Sequence, residues 1–177
     1  MVKEAIKAGV LDKEKHDGLI RKIQYYSNQT RIPIAYICHS AKDELTYDVA
    51  KLVTNVRFDM RDGKAGYFFY NEADATHIFC LIGGAYLRNE IDARLYTAEE
   101  IVNIEMRGAE MPLPTVLLVP SFHIEGWKSD IAIAHIYKRF SMGLFSIIHV
   151  GNRQSFQKHA NKSFIKFINN HFITMGL

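Results

Sequence analysis

Cysteine is scarce in this chain, with two residues in 177, Cys38 and Cys80. Two cysteines cannot build a disulfide framework, and each sits in an apolar run, so the expectation is two buried thiols and no bridge. Metal-ligand spacing is also missing. The eight histidines are scattered, with no Cys-x-x-Cys or His-x-x-x-His pair, which argues against a metal site. No apolar run is long enough for a membrane span of roughly 18–20 residues. The longest, 78–87, is broken by Gly83 and Gly84. Lys3, Glu4 and Lys7 stand where a secretory peptide needs an apolar core, so a cytoplasmic location is expected. Acidic residues stop at Asp130, while Lys138, Arg139, Arg153, Lys158, Lys162 and Lys166 follow it. That asymmetry within a net charge of +3 suits either an acidic partner for the C-terminal third or a solvated basic surface.

What is present is an alternation. Apolar β-rich runs at 34–38, 66–70, 93–96, 115–119 and 145–150 carry few polar residues, as strands buried on both faces do. Helix-compatible stretches lie between and after them at 45–61, 75–89, 98–107, 130–142 and 155–172. Thr97 and Ser129 are placed to cap two of these, with Glu99 and Glu100 in the first turn of the former. Strands alternating with helices predict an α/β fold with a parallel sheet flanked by helices. Residues 1–30 read as a helical N-terminal extension and 31–177 as one domain, since halving the chain would leave two marginal cores.

In such a sheet, ligands bind beyond the C-terminal ends of the strands. The relevant loop, Asn71-Glu-Ala-Asp-Ala-Thr-His77, follows the strand ending at Tyr70 and precedes an apolar helix. Tyr70, Thr76-His77-Ile78 and Ile82-Gly83, in that order, resemble the Walker A strand, loop and helix of the DnaC/IstB-like helicase loaders, a branch of the AAA+ P-loop ATPases. Thr97-Ala-Glu-Glu-Ile101, Leu117-Leu-Val119, the helix ending Tyr137-Lys-Arg-Phe140 and Phe145-Ser-Ile-Ile-His-Val-Gly-Asn152 are similar to later elements of those loaders. Arg31-Ile-Pro-Ile-Ala-Tyr36 resembles their lead-in. The resemblance covers roughly 31–161. It implies a three-layer P-loop NTPase-like core, with the lid subdomain absent or reduced after Asn161.

The residues that carry ATPase chemistry are missing from this pattern. A phosphate loop needs glycines for its backbone amides and a lysine for the β/γ charge. The stretch from Asn71 to Thr76 has neither, and His77 falls at the lysine position in a gapless alignment. Glu72 and Asp74 add negative charge, and each like-charge contact at ~4 Å costs on the order of 4 kcal/mol at an effective dielectric near 20. The third core strand runs into Pro120-Ser121-Phe122 without the two acids that hold Mg²⁺ and orient water, and Glu125 lies too far along. Asn71, Asp74, Thr76, His77, Ser121, Arg139 and Asn152 therefore form an expected vestigial nucleotide site. Within it, Arg139 (finger position) and Asn152 (sensor position) are more simply structural. Ser121 in Val-Pro-Ser-Phe-His lacks the glycines of a nucleophile elbow, so acyl transfer is not supported.

These features predict a protein without catalytic residues or a required cofactor, weak ATP or ADP binding aside. The resemblance implies as partner a replicative helicase, a helicase loader or single-stranded DNA. Arg153, Lys158, Lys162 and Lys166 are the candidates for phosphate contacts, with Phe156 and His159 for stacking. Trp127 reads as a core plug in preference to an exposed partner anchor. The alternative is a nucleotide-dependent loader that uses the amides at 75–77.

Overall fold

The structure is a computed structural model, described here for residues 13–38, 47–70, 73–123 and 126–176. Five parallel strands form its centre: β1 (Gly66–Tyr70), β2 (Ala93–Leu95), β3 (Val116–Val119), β4 (Phe145–Val150) and β5 (Phe172–Gly176). They lie in the order β2-β3-β4-β1-β5. Phe68 stands opposite Ile148, and Leu118 opposite Ile147. Every residue of β3 and β4 is buried, as central strands covered on both faces require.

The helices are α1 (Lys13–Thr30), α2 (Ile34–Cys38), α3 (Tyr47–Arg61), α4 (Thr76–Arg88), α5 (Ala98–Met106), α6 (Trp127–Ser141), α7 (Arg153–His159) and α8 (Lys162–His171). Strand alternation sorts the core into two layers. Tyr67, Phe69, Val116, Leu118, Phe145 and Ile147 face α3 and α4 through Val49, Val56, Phe79, Ile82 and Tyr86. Phe68, Leu117, Val119, Ile148 and Val150 face α5, α6 and α8 through Ile101, Ile136 and Phe164. This three-layer α/β sandwich is the expected fold class.

Several elements differ from the sequence reading, each for a local reason. Residues 34–38 form α2 and not a strand. Pro33 sets the first turn, its carbonyl accepting from Tyr36 N at 3.0 Å, and Arg88 Nη1 donates to the terminal carbonyls of Tyr36 and Ile37. The stretch 155–172 is two helices, because Ala160 is extended and Asn161 caps α8 by accepting from Ser163 N at 2.8 Å. Its end leads straight into β5, a strand the periodicity missed. Helix α6 starts at Trp127, after Gly126 at φ 66°; Ser129 lies within its first turn and donates to Gly126 O. Cys80 is buried as expected, but Cys38 is exposed. Thr97 does cap α5, in a full capping box with Glu100.

The lead-in to the core is tied at both ends. Arg31, at φ 60°, pairs with Glu100 and lays its guanidinium 4.4 Å from the Tyr96 ring. Ile32 is fully buried beside Gly83, and the Tyr36 backbone crosses Gly84 so closely that an added Cβ would sit 2.1 Å from Tyr36 O. The Gly83-Gly84 pair is what lets α2 lie on α4.

Candidate functional site

The C-terminal ends of β1, β3 and β4 define one edge of the sheet, where the α4 amides emerge. The described part of the loop after β1 closes on itself. Asp74 Oδ1 accepts from Thr76 N at 2.9 Å and from Thr76 Oγ1 at 2.6 Å. The hydroxyl and amide of Thr76, with His149 nearby, hold the Asp74 carboxyl below the usual carboxylate range. An ionised side chain of the protein thus occupies the opening of α4, where the helix dipole favours an anion.

His77, exposed on the first turn of α4, shares a 2.9 Å hydrogen bond between its Nδ1 and the Tyr36 hydroxyl. His149, almost fully buried in β4, donates from Nδ1 to Pro120 O at 2.8 Å, because a carbonyl can only accept. Its ring stands edge-on to Phe79, 6.3 Å between centroids. Phe122 N donates to His149 O at 2.9 Å, carrying the β3–β4 pairing past the strand end. Tyr36 and His149 were not among the expected site residues. One of two polar residues, with Ser146, in a buried strand was the signal available for His149.

Asp74, Thr76, His77, Ser121 and Asn152 are therefore gathered at this edge. Ser121 is exposed, its carbonyl facing Ala98 N, and Asn152 caps α7 by accepting from Ser155 N at 3.0 Å. Asn71 lies outside the described residues, as do Glu72 and Glu125. Arg139 is not part of the site. It is fully buried at the opposite edge, donating to Pro114 O and Phe145 O from Nη2 and to Ser146 Oγ from Nε. Burial lowers its pKa to about 10, partly offset by Asp92. A residue so enclosed cannot reach a neighbouring subunit.

Of the basic candidates, Arg153 stacks its guanidinium 4.9 Å from the Tyr70 ring at this edge, and Lys158, Lys162 and Lys166 project outward from α7 and α8. His159 Nδ1 donates to Ser155 O within α7, while Phe156 packs on Phe68 and Phe164 and serves the core. Trp127, expected inside, is 60% exposed. The crevice between α7 and α8, lined by Arg153, Phe156 and Asn169, holds about 10 Å³, room for one water at most. Among the described residues no group of three potential ligands could hold a metal, and no helix is long and apolar enough to cross a membrane.

Five parallel strands in the order β2-β3-β4-β1-β5, flanked by helices on both faces, make a P-loop NTPase-like fold. Solved structures share it. The chain superposes on the DnaC helicase loader with a TM-score of 0.58 and 14% identity, over 78% of this chain and 91% of that one. DnaI matches with a TM-score of 0.53 and 13% identity, over 81% and 90%. DnaA from Aquifex aeolicus, in a structure bound to AMPPCP, matches with a TM-score of 0.57 and 14% identity, over 82% and 51%. The chain thus spans about half the length of that DnaA and most of the loader chains. No family model and no curated protein matches it.

Proposed function

We propose that this chain is a replication interaction module: a loader-fold protein that works by binding a replicative helicase, a helicase loader or single-stranded DNA, without hydrolysing ATP. One observation carries the reading. Asp74 occupies the start of α4, its oxygen bonded to the amide and hydroxyl of Thr76, the two groups a phosphate and its Mg²⁺ would need there. The sequence agrees, with no glycine or lysine from Asn71 to Thr76 and no acids directly after Val119. The likeness to helicase loaders and DnaA supports replication as the setting.

Calorimetric titration with ATP and Mg²⁺ tests this. The expected result is no binding heat, and a micromolar dissociation constant would overturn it. The second reading, a nucleotide-dependent loader with an atypical loop, draws on the same helix N-terminus, with His77 in its first turn. The 2.9 Å bond of His77 to Tyr36 weighs against it, because that nitrogen is already engaged.

A further inference from the structure

The two edges of the sheet are finished differently. β2 has three residues, and Arg94 at its centre pairs with Asp92. Shortness and charge are common means of keeping an edge strand from pairing with another chain. β5 has neither. It runs for five residues, Phe172–Gly176, with no charged side chain, proline or bulge, and no described strand pairs with its outer side. Ile173, Thr174 and Met175 are half-buried and Gly176 is exposed. The ladder shows which of its backbone groups are unused. Ser146 N donates to Ala65 O, so the odd-numbered residues of β1 address β4, and Gly66, Phe68 and Tyr70 address β5. With Gly66 opposite Phe172 in a parallel register, the residues of β5 that answer them are Ile173 and Met175. The N–H and C=O groups of Thr174 therefore point away from the sheet, as do those of Phe172 and Gly176.

We infer that β5 is a self-association edge: two copies of the chain pair their β5 strands antiparallel, about a two-fold axis through Thr174, into one continuous sheet. A two-fold interface sets a surface against its own copy, so its residues must match themselves. β5 meets that condition. Thr174 faces the partner's Thr174, Ile173 faces the partner's Met175, and Phe172 faces the partner's Gly176, which has no side chain to obstruct it. Hydroxyl pairs and apolar pairs are both favourable across antiparallel strands. The outward groups of Phe172, Thr174 and Gly176 then exchange about six backbone hydrogen bonds, two for each hydrogen-bonded pair. Charge selects the same occupant. A charged edge would repel its own copy, whereas a charged strand of another protein finds nothing on β5 to answer it.

Sedimentation equilibrium of the full chain, from about 1 to about 100 μM, tests this. The mass should rise with concentration from 20.3 kDa toward twice that value. Thr174→Pro removes an outward N–H and leaves the donors to β1 in place, which is where an edge strand tolerates proline. It should melt with the dilute parent and weaken the dimer by about 5- to 150-fold, through the two hydrogen bonds lost across the axis. Ile173→Pro removes a donor to β1 and should lower the melting temperature instead. Thr174→Lys gives a second reading that does not involve proline, since it sets two like charges opposite each other on the axis, and it too should stay monomeric. Thr174→Val should associate as the parent does. In a Cys38→Ser background, which removes the exposed thiol, Thr174→Cys should be joined into a dimer by a short bismaleimide and Arg107→Cys should not. A mass of 20.3 kDa at every concentration would overturn the inference and leave the edge to a strand of another protein. A dimer equally stable in the parent, Thr174→Pro and Thr174→Lys would overturn it as well. The experiment contains no nucleotide and no other partner, so its outcome is separate from that of the interaction-module reading.

Discussion

Replacing Gly84 by alanine should reverse the usual sign of that substitution. In an open helix interior the change stabilises by about 1 kcal/mol, because alanine loses less backbone entropy. At Gly84 the new Cβ would lie 2.1 Å from the carbonyl oxygen of Tyr36 and 2.7 Å from its carbon, well inside a contact optimum of about 3.5–4.0 Å. The obstacle is backbone, which cannot rotate away, so α2 must retreat by more than an ångström. Overpacking of this kind costs about 1–3 kcal/mol. The retreat also pulls the Tyr36 and Ile37 carbonyls from Arg88, now 2.7 and 3.2 Å away, at roughly 1 kcal/mol each. Cost outweighs gain by about 2–4 kcal/mol. Urea unfolding followed by far-UV circular dichroism should show the midpoint falling by about 1 M at an unchanged slope. Gly18, with nothing within 4 Å of an added Cβ, is the control at which alanine should cost nothing. A Gly84→Ala midpoint equal to or above the parent would refute the argument, since α2 would then not be seated on α4.

Two further outcomes follow from the buried polar groups. Arg139→Met should cost about 2–4 kcal/mol by leaving Pro114 O, Phe145 O and Ser146 Oγ without their donor, read as a melting temperature lower by about 10 °C. His135 is buried with Nδ1 2.8 Å from Glu105 Oε1 and Nε2 without a partner. Burial lowers its pKa, with Arg139 and Lys138 adding to the fall and Glu105 opposing it. A base depressed in the folded state contributes stability that is complete above the unfolded value near 6.5 and is lost as pH falls below it. Urea midpoints from pH 7.5 down to 5.5 should therefore decline in the parent, by at most about 1.4 kcal/mol per pH unit from this group. His135→Gln should have the shallower decline, and parallel profiles would show that His135 is not the group responsible.

The central strands were legible because Gly66–Tyr70 and Phe145–Val150 are short apolar runs set between helical periodicities. Thr97 was legible for a similar reason, since its capping box is written within four residues. The misread elements are those decided by distant partners. Residues 34–38 have strand composition, and the backbone of α4 at Gly84 together with Arg88 makes them helical. β5 pairs with β1 through a register, Phe172 opposite Gly66, that its own five residues do not announce. Arg139 shows the limit for site reading. Its place in a motif suggested the nucleotide edge, but a helix of fifteen residues carries its last turn to the opposite edge. Trp127 could not be placed because hydrophobicity alone does not say whether a helix's first residue faces inward.

The retained and the missing features separate along a physical line. Tyr70, the Gly83-Gly84 pair, the Thr97 box and the apolar strands all take part in packing or in satisfying backbone groups, so the fold depends on them whatever the protein does. A glycine loop and its lysine contribute little to the core; they are exposed, and in a nucleotide-binding protein the ligand satisfies their amides. On the non-hydrolysing reading no nucleotide is held, and the helix N-terminus still requires an acceptor. Asp74 supplies one at 2.9 Å from the Thr76 amide. On that reading, the Asp74 carboxylate is how the frame closes over the place of a phosphate.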